Sequence, residues 1–170
     1  MGNSSLFVSE SQYLMDTVEK TEFDCMYHEH LRFYTLKPFM HLMEMHGMSI
    51  VDAERISAAG GSIRIFAKKG RHALSMRAGN LLDAEKKAGL YDIKTLQKFG
   101  ERAHQAKRDL VALLLECKKK GRIVGLGSPA RSNTLLGFSH IDASVLDYLC
   151  EKKGSPKIGM YSQNFLMNSE

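Results

Sequence analysis

The sequence predicts a mixed α/β fold in two pieces joined by a long helix. Two β-like runs, Met48 to Ile56 and Ser62 to Lys68, flank a Ser-Ala-Ala-Gly-Gly stretch and could pair antiparallel. An amphipathic run extends from Ile93 to Lys120, and a strand, glycine turn and helix start follow from Arg122.

Residues Ser5 to Ser9 read as a short buried strand, followed by a helix from about Gln12 to Lys20. The segment Phe23 to Tyr34 is too irregular for either period and reads as mostly loop, yet it is the chemically richest stretch. Leu36, Phe39, Met40, Met43 and Met48 follow helical spacing, with Pro38 tolerated in the first turn and Gly47 as the stop. Residues His72 to Gly79 read as a linker, and Leu81 to Ala88 as a short helix ended by Gly89. In the long helix, Leu96, Phe99, Ala103, Ala106, Leu110, Leu113, Leu114 and Cys117 form the expected apolar face. Lys118, Lys119 and Lys120 complement its dipole at the C-terminal end. A second strand is expected over Val145 to Cys150, which makes the segment after Gly121 the first βαβ unit of a Rossmann-like domain.

Composition narrows the function classes. The chain has 170 residues, 44% hydrophobic and 25% charged, with 14 Gly and 3 Pro, which excludes a disordered tail or a fibrous repeat. The longest apolar run, Leu110 to Leu115, is far short of the roughly 18 residues a bilayer span requires. The start lacks the basic and apolar regions of a secretory signal, and Cys25, Cys117 and Cys150 are too widely spaced for a disulfide framework or zinc knuckle. A cytoplasmic location is the expectation. The net charge of +5 is distributed over clusters at Lys68 to Arg71, Lys118 to Arg122 and Lys152 to Lys153, without interleaved aromatic residues. That pattern argues against nucleic acid. It suits a solvated surface, or an acidic small ligand such as a nucleotide diphosphate.

Tyr27-His28-Glu29-His30 packs a phenol, two imidazoles and a carboxylate into one short run. If the run is extended, His28 and His30 project to one side and Tyr27 and Glu29 to the other. A carboxylate beside a histidine can orient the ring and raise its basicity, which suits a general base for carbon-acid deprotonation. A surface or core cluster is the plainer reading of the same residues. No metal site is expected: a third ligand beside His28 and His30 is not evident, and His41 and His46 lie about 140° apart on a helix. Gly125-Leu-Gly127-Ser-Pro-Ala130 resembles a dinucleotide fingerprint with Ala130 in the third glycine's place and Pro129 interrupting the turn. Its backbone amides and Arg131 could receive phosphate oxygens at a helix N-terminus, or the turn could simply pack a core.

Five motifs occur in order: Tyr13-Leu-Met-Asp16, Thr21-Glu-Phe-Asp24, Tyr27-His-Glu-His30, Gly60-Gly-Ser-Ile-Arg64 and Gly125-x-Gly-x-Pro-Ala130-x-x-Asn-Thr-Leu-Leu136. Together they resemble the S-adenosylmethionine-dependent sugar C-methyltransferases, from about Leu6 to Lys153. The resemblance implies methylation of a carbon next to a ketone on a nucleotide-diphosphate sugar. It makes His30 the base, with Glu29 and Tyr27 as partners, forming an enolate that takes the methyl group of S-adenosylmethionine. It places substrate-side contacts at His28, Ser62, Arg64, Gly125, Gly127, Arg131 and Asn133.

The fold so implied is α/β: an incomplete methyltransferase half-sheet joined by a long helix to a partial Rossmann-like βαβ domain. Residues 1–71 form the end of a class I methyltransferase-like domain, 72–92 a linker and short helix, and 93–170 the long helix and a truncated Rossmann-like domain. Several family features are absent from the sequence. It has no zinc-ligating cysteine region, no glycine-rich cofactor loop upstream, Ala59 where the family usually has His, Arg131-Ser132 where it has Lys-Gly, and an unrelated tail after Glu151. Two readings therefore stand: a C-methyltransferase fragment or split subunit, or a catalytically inactive remnant that binds a nucleotide sugar or a protein. The open edges of a half-sheet invite a partner chain or a second copy.

Overall fold

The computed structural model describes residues 5–162 and 165–169, which divide into two compact units. The first comprises residues up to Glu22 and Leu31–Gly100, and the second Phe23–His30 and Glu101 onward. The division differs from the boundaries drawn from sequence: the Tyr27 to His30 run is excised from its neighbours and belongs by its contacts to the second unit.

The first unit is built on three antiparallel strands in the order β1-β3-β2, with β1 at Phe7–Gln12, β2 at Met48–Ile56 and β3 at Ser62–Lys69. The expected pairing of β2 with β3 is present, with a bulge between Ile50 and Asp52. Central β3 turns Ile63, Ile65 and Ala67 into the core, fully buried. On its other face Arg64 stands in register with Glu10 of β1 and Glu54 of β2, and bridges both at 3.0 Å. Because a one-residue slip would turn Arg64 inward, this acid-arginine-acid row and the apolar face specify the same register. β1 starts later than the sequence suggested and alternates rather than being buried throughout, because it is an edge strand with one face in solvent; Val8 is half exposed.

Helix α1 (Leu14–Lys20) follows β1 directly, and α2 (Leu36–Met45) buries Leu36, Phe39 and Met43, as the spacing predicts. Gly47 ends α2 at φ 67°, a conformation that favours glycine. Helix α3 (Met76–Lys87) begins well inside the expected linker, because the Ser75 hydroxyl caps it by accepting from the Ala78 amide at 3.1 Å. Helix α4 (Ile93–Lys118) then leads from this unit into the second.

In the second unit β4 (Val124–Leu126), β5 (Tyr148–Glu151) and β7 (Phe165–Ser169) run parallel, and β6 (Tyr161–Ser162) pairs antiparallel with β7. Helix α5 (Ala130–Ser139) connects β4 to β5. The core gathers Leu136, Ile141, Leu146, Leu149, Phe165 and Met167, against Leu110, Val111 and Leu114 of α4. On α4, Phe99 and Ala103 are buried and Leu110 and Leu114 partly buried, as the sequence assigned them, while Leu96, Ala106, Leu113 and Cys117 of the same assigned face are exposed. The tail after Glu151 is not an unrelated end. Phe165 and Met167 alternate inward, 2% and 5% exposed, and dock β7 beside β5, so the sheet extends beyond one βαβ unit. No helix among the described residues is long and apolar enough to cross a membrane.

Candidate functional site

The Tyr27 to His30 run is a turn, not an extended segment. The His30 amide donates to the Tyr27 carbonyl at 2.9 Å, which brings the two ring centroids to 4.2 Å with their planes tilted by 37°. His28 and Glu29 form the exposed tip of that turn. The two sides expected from an extended run are therefore replaced by a Tyr27-His30 pair with His28 and Glu29 directed to solvent.

The Nδ1 atom of His30 lies 2.8 Å from the Cys25 carbonyl oxygen. A carbonyl can only accept, so in the neutral ring Nδ1 carries the proton and Nε2 the lone pair. The Cys25 carbonyl, rather than the Glu29 carboxylate expected from sequence, thus orients the ring. His30 is partly buried, with the Tyr27 ring packed beside it.

Cys25 ends a single 3-10 turn, Phe23–Cys25, which packs on one face of α5. Arg131 donates from Nε and Nη2 to the two Asp24 carboxylate oxygens at 2.9 and 2.7 Å. Thr134 Oγ1 donates to the Met26 carbonyl at 3.3 Å, and the Phe23 and Phe138 rings lie 5.0 Å apart. His104 and Lys107 of α4 pack on the same Phe138 ring. Asp24, the Cys25 carbonyl, Thr134 and Phe138 were not assigned roles from sequence, and Arg131 was assigned a phosphate contact rather than this ion pair. The i, i+3, i+7 spacing of Arg131, Thr134 and Phe138 was the available signal.

The glycine turn between β4 and α5 is internally satisfied. Ser128 N donates to the Glu151 carboxylate at 2.7 Å, and Lys157 Nζ donates to the Ser128 carbonyl at 2.6 Å. The Ser128 amide holds the Glu151 carboxyl below the usual carboxylate range against the opposing effect of burial, aided by Lys157. At Gly125 a Cβ would crowd a Leu149 methyl at 2.4 Å, and at Gly127 φ is 79°, a conformation that favours glycine. The Asn133 side-chain oxygen accepts from Ser162 at 2.6 Å, tying α5 to β6.

Ser62 and Arg64 lie in the first unit. Ser62 is buried and donates to the Ala58 carbonyl at 3.1 Å, while Arg64 spans the three strands. The adjoining Gly60-Gly61 turn closes on Asp16, whose carboxylate receives Arg55 bidentately at 2.9 Å and Lys20 at 2.8 Å. Among the described residues, no group of three or more His, Cys, Asp or Glu side chains is arranged to hold a metal ion.

Residues 57–166 match the family described as "C-methyltransferase C-terminal domain". The chain belongs to that family. The match agrees with the motif resemblance and takes in most of the tail that seemed unrelated. C-methyltransferase NovU of Streptomyces niveus is 28% identical over 141 residues, covering 79% of this chain and 34% of NovU. The chain thus spans about a third of the length of this curated relative.

The C-methyltransferase family implies S-adenosylmethionine as methyl donor, and the described residues do not fit it. The first unit's sheet is antiparallel and offers no parallel strand-turn-helix cradle. In the second unit, the Gly127 and Ser128 amides of the glycine turn are already taken by the Cys150 carbonyl and the Glu151 carboxylate.

Proposed function

We propose that this C-methyltransferase C-terminal domain chain supplies the proton-abstracting side of a C-methylation on a nucleotide-diphosphate keto-sugar. His30 Nε2 removes the proton alpha to the ketone. The C–H electron pair passes into the enolate, whose carbon is the nucleophile that C-methylation needs. The observation that carries this reading is the 2.8 Å contact of His30 Nδ1 with the Cys25 carbonyl, which sets the tautomer a base requires. Tyr27 packs beside the ring, with centroids 4.2 Å apart. His28 at the exposed tip is the substrate-side contact of this turn. Ser62, Arg64, Gly125, Gly127, Arg131 and Asn133 are the other substrate-side contacts the resemblance implies, and each also has a structural partner or a backbone constraint within the chain.

The experiment is exchange of the alpha proton of such a keto-sugar into deuterated water, followed by NMR. Exchange with the wild-type chain and its loss in His30→Ala are expected. Normal exchange in His30→Ala removes His30 from the mechanism.

A second reading, a nucleotide-sugar or protein-binding module without methyl transfer of its own, is favoured by the lack of fit to S-adenosylmethionine. It predicts a rise in thermal midpoint with nucleotide diphosphate but no alpha-proton exchange. We further propose that β1 pairs along its open edge with a strand of another chain or a second copy. Sedimentation showing a monomer at all concentrations excludes the second copy.

A further inference from the structure

We propose that the Asp24-Arg131 ion pair is a positioning element for His30, holding the turn whose Cys25 carbonyl fixes the histidine tautomer. This inference rests on the reading of His30 as the base, and it gives Arg131 a role other than the phosphate contact expected from sequence.

A three-residue 3-10 turn has almost no stability of its own, since nucleating one turn fixes several dihedrals for a single hydrogen bond. Phe23–Cys25 must therefore be held from outside. The anchors are Arg131, Thr134 and Phe138, which line one face of α5 and engage Asp24, Met26 and Phe23 respectively. Cys25 sits between these anchored residues, with its side chain buried. Its carbonyl is consequently fixed in position, and it meets His30 Nδ1 at 2.8 Å.

Of the three anchors, only the Asp24-Arg131 contact is both charged and bidentate, at 2.9 and 2.7 Å. Two parallel N–H to oxygen bonds restrain orientation as well as distance, which one lysine ammonium cannot do. The pair is partly shielded, with the Asp24 side chain 25% exposed, so its attraction is screened less than that of a surface pair. In water, a neutral imidazole favours the opposite tautomer, with the proton on Nε2. Loosening the turn thus allows the ring to return to that form, in which Nε2 has no lone pair for a substrate proton.

The test is nitrogen-15 NMR of the imidazole groups in the 170-residue chain, which distinguishes the two tautomers directly. Wild-type His30 is expected to show the Nδ1–H form. Asp24→Asn, nearly isosteric, and Arg131→Ala are each expected to shift it toward Nε2–H, with Arg131→Lys recovering part of the wild-type signal. Backbone amide spectra of residues 31–100 serve as the folding control, and Asp24→Asn remains informative if Arg131→Ala disturbs α5. An unchanged His30 tautomer in both variants overturns the proposal.

Alpha-proton exchange separates the two readings. Displacing a reacting group by about 1 Å costs roughly a hundredfold, so a loss of that order is expected in Asp24→Asn. A shifted tautomer with undiminished exchange leaves the positioning role standing and removes His30 as base. Exchange lost in His30→Ala, with the tautomer unmoved in Asp24→Asn, does the reverse.

Discussion

The Tyr13 hydroxyl donates a 2.8 Å hydrogen bond to the fully buried Glu85 carboxylate, joining the start of α1 to α3. The same carboxylate accepts from the Leu36 amide at 2.6 Å and from the Tyr91 hydroxyl. Three donors from separate elements thus converge on one acceptor. Replacing Glu85 with Ala is expected to destabilise the chain by about 3 kcal/mol or more, because it strands buried donors that each cost about 1–3 kcal/mol. Tyr13→Phe, which removes one donor, is expected to cost about 1 kcal/mol. Urea denaturation of the two variants checks the order.

The same network predicts an alkaline limit. Burial first, and then the Glu85 charge, push the Tyr13 phenol well above its ordinary value; burial and the Glu85 hydrogen bond do the same for Tyr91. A phenol whose pKa is raised in the folded state contributes stability that is fully present below its ordinary pKa of about 10 and is lost as pH rises beyond it. Stability measured from neutral pH upward is expected to fall more steeply than in Tyr13→Phe. Parallel curves for the two proteins contradict this assignment.

Acid acts on other groups. Burial opposes the Asp16 charge, but hydrogen bonds from Arg55 and Lys20 outweigh it and hold the carboxyl below the usual range. In the second unit, the Lys118 and Ile123 donors lower Asp147 in the same sense. A lowered carboxyl contributes stability above its ordinary pKa of about 3.9, lost as pH falls through the folded value. Asp16→Asn is expected to cost about 1–2 kcal/mol at neutral pH, since Arg55 is partly solvated, and to flatten the acid limb of the stability profile. An acid limb as steep as wild type contradicts it.

Two glycines are expected to differ in how they can be rescued. At Gly61, φ is 147° and a Cβ would fall 2.1 Å from Asp16 Cγ, inside a held ion-pair cluster. Gly61→Ala is expected to cost more than about 2 kcal/mol. At Gly125 the obstacle is one Leu149 methyl at 2.4 Å. Gly125→Ala is expected to cost about 1–3 kcal/mol, with part recovered in combination with Leu149→Val. Additive costs in the double variant show that the backbone, not the methyl, is the obstacle.

Much of the fold was legible wherever one period dominated. Leu36, Phe39 and Met43 marked α2, and Gly47 its end; the alternation of Ile63, Ile65 and Ala67 marked β3. Legibility failed where a single polar contact decides. Ser75 starts α3 ahead of Leu81, where the sequence placed its beginning, through a cap that no periodicity reveals. The Phe165 and Met167 alternation in β7 is too short to distinguish from a tail until β5 lies beside it. The Tyr27 to His30 residues were legible as a chemical cluster, but not their arrangement, because that arrangement is set by Asp24 and Arg131, 107 positions apart.

The excursion of Phe23–His30 into the second unit also dictates when the turn can form. Its clamp on α5 cannot close until Arg131, Thr134 and Phe138 have been synthesised, long after β1 and α1 have left the ribosome. During translation the excised loop therefore waits, tethered at both ends to residues of the first unit. Closing so distant a contact carries a loop entropy that adjacent contacts avoid, which places it late among folding events. The histidine turn therefore takes its shape only once α5 is in place to hold it.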